Sequence, residues 1–94
     1  MRLTIPEIIR CTGGTLAGGN TGVVFTGVST DSRSILEGEL FVALIGERFD
    51  GHEFLGQAFA RGAAGAVVMR EGLTAPGPLF VVSDTLKALG DIAG

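Results

Sequence analysis

Two short polar segments concentrate the groups able to do chemistry. One is Ser29-Thr30-Asp31-Ser32-Arg33; the other is Glu47-Arg48-Phe49-Asp50-Gly51-His52. Hydroxyls, backbone amides and two guanidiniums are the groups that hold a phosphate or a nucleotide head group. Phe49 adds a ring that could stack on a flat base. Each segment also has a plainer reading. Asp31-Ser32 suits a turn whose side chains bond their own backbone, and Asp50-Gly51 is an ordinary turn pair. His52 could be a helix cap or a solvent-facing side chain. Asp50 and His52 alone are too few for a metal site, which needs a larger ligand set. A serine paired with His52 would require a strained elbow, and no G-x-S-x-G occurs. Cys11, at a helix end, reads as a packed small hydrophobe more than as a reactive thiol.

The absent motifs are more decisive. A P-loop needs G-x-x-x-x-G-K-[ST], and the only lysine, Lys87, stands between Leu86 and Ala88. The glycines do not form G-x-G-x-x-G after a strand. ATP chemistry of the Walker type therefore has no seat in this sequence. The net charge of −3 argues against nucleic acid, whose partners show a basic stripe. One cysteine makes neither an internal disulfide nor a cysteine-based metal site. No apolar run approaches the ~20 residues of a membrane helix. Pro6, Glu7 and Arg10 interrupt the opening apolar stretch, so no secretory signal is read there. The expectation is a soluble cytoplasmic domain with neither nucleic-acid nor membrane partners. Its 94 residues suffice for one core. The charged fraction is 18%, against a usual ~25%.

The two polar segments need elements to hold them. Thr4 and Glu7 form a capping box with Pro6 in the first turn, which predicts a helix to about Cys11, stopped by Thr12-Gly13-Gly14. Thr15–Ala17 and Val23–Ser29 read as two strands joined tightly across Gly18-Gly19-Asn20. Leu40–Ile45 is six apolar residues in a row, a strand buried on both faces. His52–Arg61 reads as a helix with Phe54, Leu55, Ala58 and Phe59 on its apolar face, ended by Gly62. Ala66–Met69 and Leu79–Val82 are strands around a rigid Thr74–Pro78 loop. Ser83 or Asp84 caps a last helix, Thr85–Ala93, whose buried face would carry Leu86, Leu89 and Ile92. The expected fold is α/β: a small layered domain with a mixed sheet of about five strands and flanking helices. Both polar segments then flank the Leu40–Ile45 strand, where loops at strand ends favour ligands.

Ser29–Arg33 and the run from Gly38 to Phe54, with its D-S-R, G-x-L-F-V-A-L and D-G-H-x-F motifs at this spacing, closely resemble the N-terminal domain of the Mur ligases. These ATP-dependent enzymes build the peptidoglycan stem peptide. The similarity continues through Gln57-Ala58, Gly62-Ala63-Ala64 and Val67-Val68, and resumes from Val81 to Ala93. Arg48–His52 and Asp84-Thr85-Leu86 look most like the member that acts last, joining D-alanyl-D-alanine to the UDP-N-acetylmuramoyl tripeptide. The preceding ligase, which adds the third amino acid, shares the D-S-R and D-G-H motifs and is the alternative. A stand-alone nucleotide-sugar binding module is the alternative from another class. The resemblance implies that residues 1–94 form the N-terminal domain that grips the UDP end of the precursor. ATP and Mg2+ would be bound by a central domain, and a C-terminal domain would help bind the incoming dipeptide. No catalytic group would lie in these residues, so they would be inactive alone. By position, Thr30 and Ser32 match family residues near the uridine, and Glu47, Arg48 and Phe49 match the second nucleotide-binding loop. Asp31, Arg33, Asp50, Gly51 and His52 belong to the motifs and would brace the loops, for instance by an ion pair between Arg33 and Asp31 or Asp50.

Overall fold

The computed structural model describes residues 2–18 and 22–93. Thr4 starts the first helix, α1 (Ile5–Thr12), as its sequence requires. Its hydroxyl accepts from the Glu7 amide at 3.4 Å, and the Glu7 carboxylate accepts from the Thr4 amide at 3.1 Å. Two of the helix's otherwise unpaired amides are thereby satisfied. Gly13 ends the helix in the left-handed region, φ 70°, with its amide bonded to the Ile9 carbonyl at 2.8 Å. The residues just before the helix form β1 (Leu3–Thr4), which pairs antiparallel with β3 (Val24–Phe25).

The main sheet has five strands. In spatial order they are β2 (Thr15–Ala17), β7 (Leu79–Val81), β6 (Gly65–Val68), β5 (Leu40–Val42) and β4 (Val28–Ser29). β4 to β7 are mutually parallel, and β2 runs antiparallel along β7. The expected mixed α/β sheet is thus present. Side chains alternate between its faces, as the period of two demands. Leu40, Val42, Val67, Phe80 and Val82 meet Ile5 and Ile8 of α1 and Ala88 and Ile92 of α3 (Thr85–Ala93). Phe41, Ala43, Ala66, Val68 and Leu79 point the other way, against Ile35 and against Leu55 and Ala58 of α2 (Leu55–Ala60). Phe25 meets Phe80 edge to face, centroids 5.9 Å apart. Such geometry aligns a ring's positive edge with its partner's negative face. Among the described residues, no helix is long and apolar enough to cross a membrane.

Several expectations are corrected. Thr15–Ala17 does not pair with Val23–Ser29; it closes on β7, and Val23–Ser29 divides in two. The break falls at Thr26-Gly27, where the chain leaves the small sheet for the large one. Of the expected Gly18-Gly19-Asn20 connection, Gly19 and Asn20 lie outside the described residues. The strand from Leu40 ends at Val42, and Ile45 is exposed, because the chain folds back to bridge Ile45 with Asp50. The helix expected over His52–Arg61 opens as a 3-10 turn, Gly51–Phe54, and Phe54 is 41% exposed. In α3 the buried stripe is Thr85, Ala88 and Ile92, while Leu86 is 67% exposed. Asp84 caps the helix by accepting from the Leu86 and Lys87 amides, which rotates Leu86 outward. Cys11 is exposed, not packed.

Candidate functional site

A cleft of about 490 Å³ opens at the carboxyl ends of β4 and β5. Thr30, Asp31, Ser32 and Arg33 form one wall, and Phe49 and Gly51 belong to the other. Phe41 and Phe54 complete an aromatic lining. The two polar segments singled out in the sequence are thus brought face to face, because adjacent parallel strands deliver their following loops to one edge.

The first wall is held by short-range bonds. The Ser29 hydroxyl donates to the Asp31 carbonyl and accepts from the Asp31 amide, both at 3.2 Å. The Asp31 carboxylate accepts from the Arg33 amide at 2.8 Å and from its guanidinium at 3.2 and 3.3 Å. Bonds from the guanidinium, then from that amide, hold the Asp31 carboxyl below its ordinary range. One longer tie exists: the nearly buried Ser32 donates its hydroxyl proton to Gln57 Oε1 of α2, 2.8 Å away.

The second wall is built around a buried histidine. Asp50 Oδ1 accepts from the His52 amide at 2.9 Å and lies 2.7 Å from His52 Nδ1. His52 Nε2 accepts from the Met69 amide at the end of β6, at 2.9 Å. An amide can only donate, so Nε2 carries no proton and Nδ1 gives its own to Asp50. The other Asp50 oxygen binds Arg70. Hydrogen bonds from the His52 amide and ring, and then the charge of Arg70, lower the Asp50 pKa. Gly51 has no room for a side chain: a Cβ would lie 2.8 Å from the Leu44 amide and carbonyl. Its amide bonds that same carbonyl at 2.7 Å. Ahead of it, the Gly46 amide bonds the Phe49 carbonyl at 2.9 Å, and the Phe49 ring covers Gly46 so closely that a methyl there would collide with it. Phe49 itself is 53% exposed, a ring presented to the cleft without a partner stacked upon it among the described residues.

Each residue expected at the site now has a place. Thr30, Asp31, Ser32, Arg33, Phe49 and Gly51 line the cleft. Glu47 and Arg48 are exposed on the same loop but do not line it. Asp50 and His52 stand behind it as a support, so His52 is neither a solvent-facing group nor a plain cap. Arg33 pairs with Asp31, and Asp50 pairs instead with Arg70. No group of three or more His, Cys, Asp or Glu side chains able to hold a metal occurs among the described residues. Sequence reasoning missed Phe41, Phe54, Gln57 and Arg70. Phe54 and Gln57 stand three apart at the start of α2, a spacing that shares one helix face and could have flagged them. Nothing local to Arg70 points to Asp50.

Residues 24–93 match the family described as "Mur ligase family, catalytic domain", and the chain belongs to the Mur ligase family. It is 40% identical over 91 residues to the UDP-N-acetylmuramoyl-tripeptide--D-alanyl-D-alanine ligase of Escherichia coli (strain K12), covering 97% of this chain and 20% of that protein. It is 43% identical over 67 residues to the UDP-N-acetylmuramoyl-L-alanyl-D-glutamate--2,6-diaminopimelate ligase of Aquifex aeolicus, covering 71% of this chain and 14% of that one. The crystal structure of MurF from Acinetobacter baumannii superposes with a TM-score of 0.88 at 34% identity, over 98% of this chain and 20% of that one. The chain thus spans about a fifth or less of the length of these relatives.

Proposed function

We propose that these residues are the N-terminal, substrate-anchoring domain of a cytoplasmic, ATP-dependent ligase that joins D-alanyl-D-alanine to UDP-N-acetylmuramoyl tripeptide. The observation that carries this reading is the aromatic-lined cleft between the D-S-R and D-G-H-x-F loops. Phe49 and Phe54 offer exposed apolar rings for a flat pyrimidine, over a floor that includes the buried Phe41. Thr30 and Ser32 offer polar atoms at its edge, and Glu47 and Arg48 lie further out, toward the remainder of the precursor. The ligase of E. coli and the MurF structure support the choice of the last-acting enzyme, each over nearly the whole of this chain. The A. aeolicus relative supports the alternative, the ligase that adds the third stem residue.

ATP and Mg2+ belong to another part of the full chain in this reading. The sequence holds no P-loop, and its one lysine is paired with Asp91 on α3 at 3.0 Å. Magnesium there would neutralise charge on the phosphoryl group passing from ATP to the tripeptide's terminal carboxylate. This domain grips a remote handle, so that the far carboxylate is held where it reacts. Its partners are the UDP-precursor and the other two domains. The cleft's own test is Phe49→Ala in the full-length protein. Loss of one stacked base contact should raise KM for the UDP-precursor by about 10-fold or more and leave KM for ATP unchanged. An equal rise in both would reject the assignment. Supplying D-alanyl-D-alanine or a diamino acid as the acceptor, each with its matching precursor, separates the two ligases.

A further inference from the structure

Ser32 is nearly buried, lines the cleft, and faces Gln57 from the adjoining helix. A carboxamide oxygen cannot donate, so the proton between Ser32 Oγ and Gln57 Oε1 belongs to the serine. Once that proton is committed, the serine oxygen has only lone pairs left for a ligand. A free serine rotates its hydroxyl to suit either a donor or an acceptor; this one does not. Its neighbours behave alike. The Ser29 hydroxyl proton goes to the Asp31 carbonyl, and the Asp31 carboxylate accepts only.

We propose that Gln57 is a specificity-determining residue: by holding the Ser32 proton, it makes the cleft read an N–H donor on the bound ring and reject a lone pair at that place. Resting on the uridine reading above, this selects a pyrimidine whose N3 carries hydrogen, as in uracil, over one whose N3 is an acceptor, as in cytosine. Gln57 need not touch the ligand; it acts through Ser32 as a positioning residue. Its side chain sits on an exposed helical position of α2, so changing it leaves both cores intact.

The test is inhibition of the full-length protein by UDP and by CDP, each competed against the UDP-precursor. The wild type should prefer UDP by about 10-fold, the weight of one hydrogen bond exchanged for a clash of lone pairs. Gln57→Leu frees the serine proton, which can then turn toward a cytosine N3. CDP inhibition should strengthen, and the preference should shrink to about 3-fold or less. Gln57→Glu keeps an accepting oxygen and should keep the wild-type preference. A structural role alone would weaken both nucleotides together. An unchanged preference in Gln57→Leu, or a loss of UDP with no gain for CDP, overturns the proposal while leaving the uridine reading standing. Failure of both nucleotides to inhibit the wild type removes the uridine reading itself, and this proposal with it.

Discussion

The two walls of the cleft sit on neighbouring strands of one sheet, yet they are held in different ways. The wall after β4 depends on bonds between residues two apart, on an exposed ion pair and on one tie to α2. The wall after β5 depends on a histidine whose side chain is 1% exposed, on a bond to the end of β6, and on a glycine jammed against the Leu44 backbone. Local bonds set a loop's shape but leave it able to adjust. Buried, long-range bonds fix it to the core, where unpaired polar groups are costly. The cleft therefore pairs an adaptable polar wall with a rigid one that presents a ring. That arrangement suits a ligand whose flat part is clamped and whose edge is read.

The sharpest way to break this contrast is Gly51→Ala. The new methyl meets the Ala43–Leu44 backbone, which nothing flexible can relieve, and the second wall must move. About 3 kcal/mol of stability should be lost in urea unfolding, along with precursor binding. His52→Ala comes next. It strands the Met69 amide and opens a void at the end of β6, which should cost about 2–3 kcal/mol. Rescue by Gln at position 52, which can still accept from that amide, would show that the bond and not the ring's bulk matters. The smallest effect is electrostatic. The folded pKa of Asp50 and of Asp31 is lowered, so the unfolded chain binds more protons in acid. Their contribution is complete above the ordinary carboxylate pKa of about 4 and fades as pH falls through the lower folded values. Asp50 is better shielded, its side chain 20% exposed against 43% for Asp31. Asp50→Asn should flatten the acid limb of a stability–pH curve more than Asp31→Asn does. Equal flattening would erase the distinction between the walls.

Much of this could be read along the chain, because it depends on near neighbours. The Thr4–Glu7 box, the Gly13 stop and the apolar run at Leu40 are local signals, and each appears in the fold. The two polar loops and their closeness followed from strand order. What escaped were decisions made by distant partners. Thr15–Ala17 pairs with a strand some sixty residues later, whereas the local sequence favours a hairpin with its neighbour. His52 reads locally as a helix cap or a solvent-facing group, because Met69, which it bonds, and Arg70, which braces its partner Asp50, are far along the sequence. Leu86 looked like core because its spacing fits a stripe that the Asp84 cap turns aside. The Ser32 hydroxyl was legible as a polar group, but its direction was not, since Gln57 decides it.

The pairing of β2 with β7 and the packing of α1 on α3 bear on how the chain is made. Residues 3–17 are made before their partners, residues 79–92, which are roughly sixty residues behind, about 3–12 s at ordinary synthesis rates. During that interval the Ile5–Ile8 face of the helix lacks the part of its cover that Phe80, Val82 and α3 supply. A segment made early is thus sealed late. A nascent chain halted before Leu79 would carry an open edge and a sticky helix, the natural target of a chaperone that binds apolar surface.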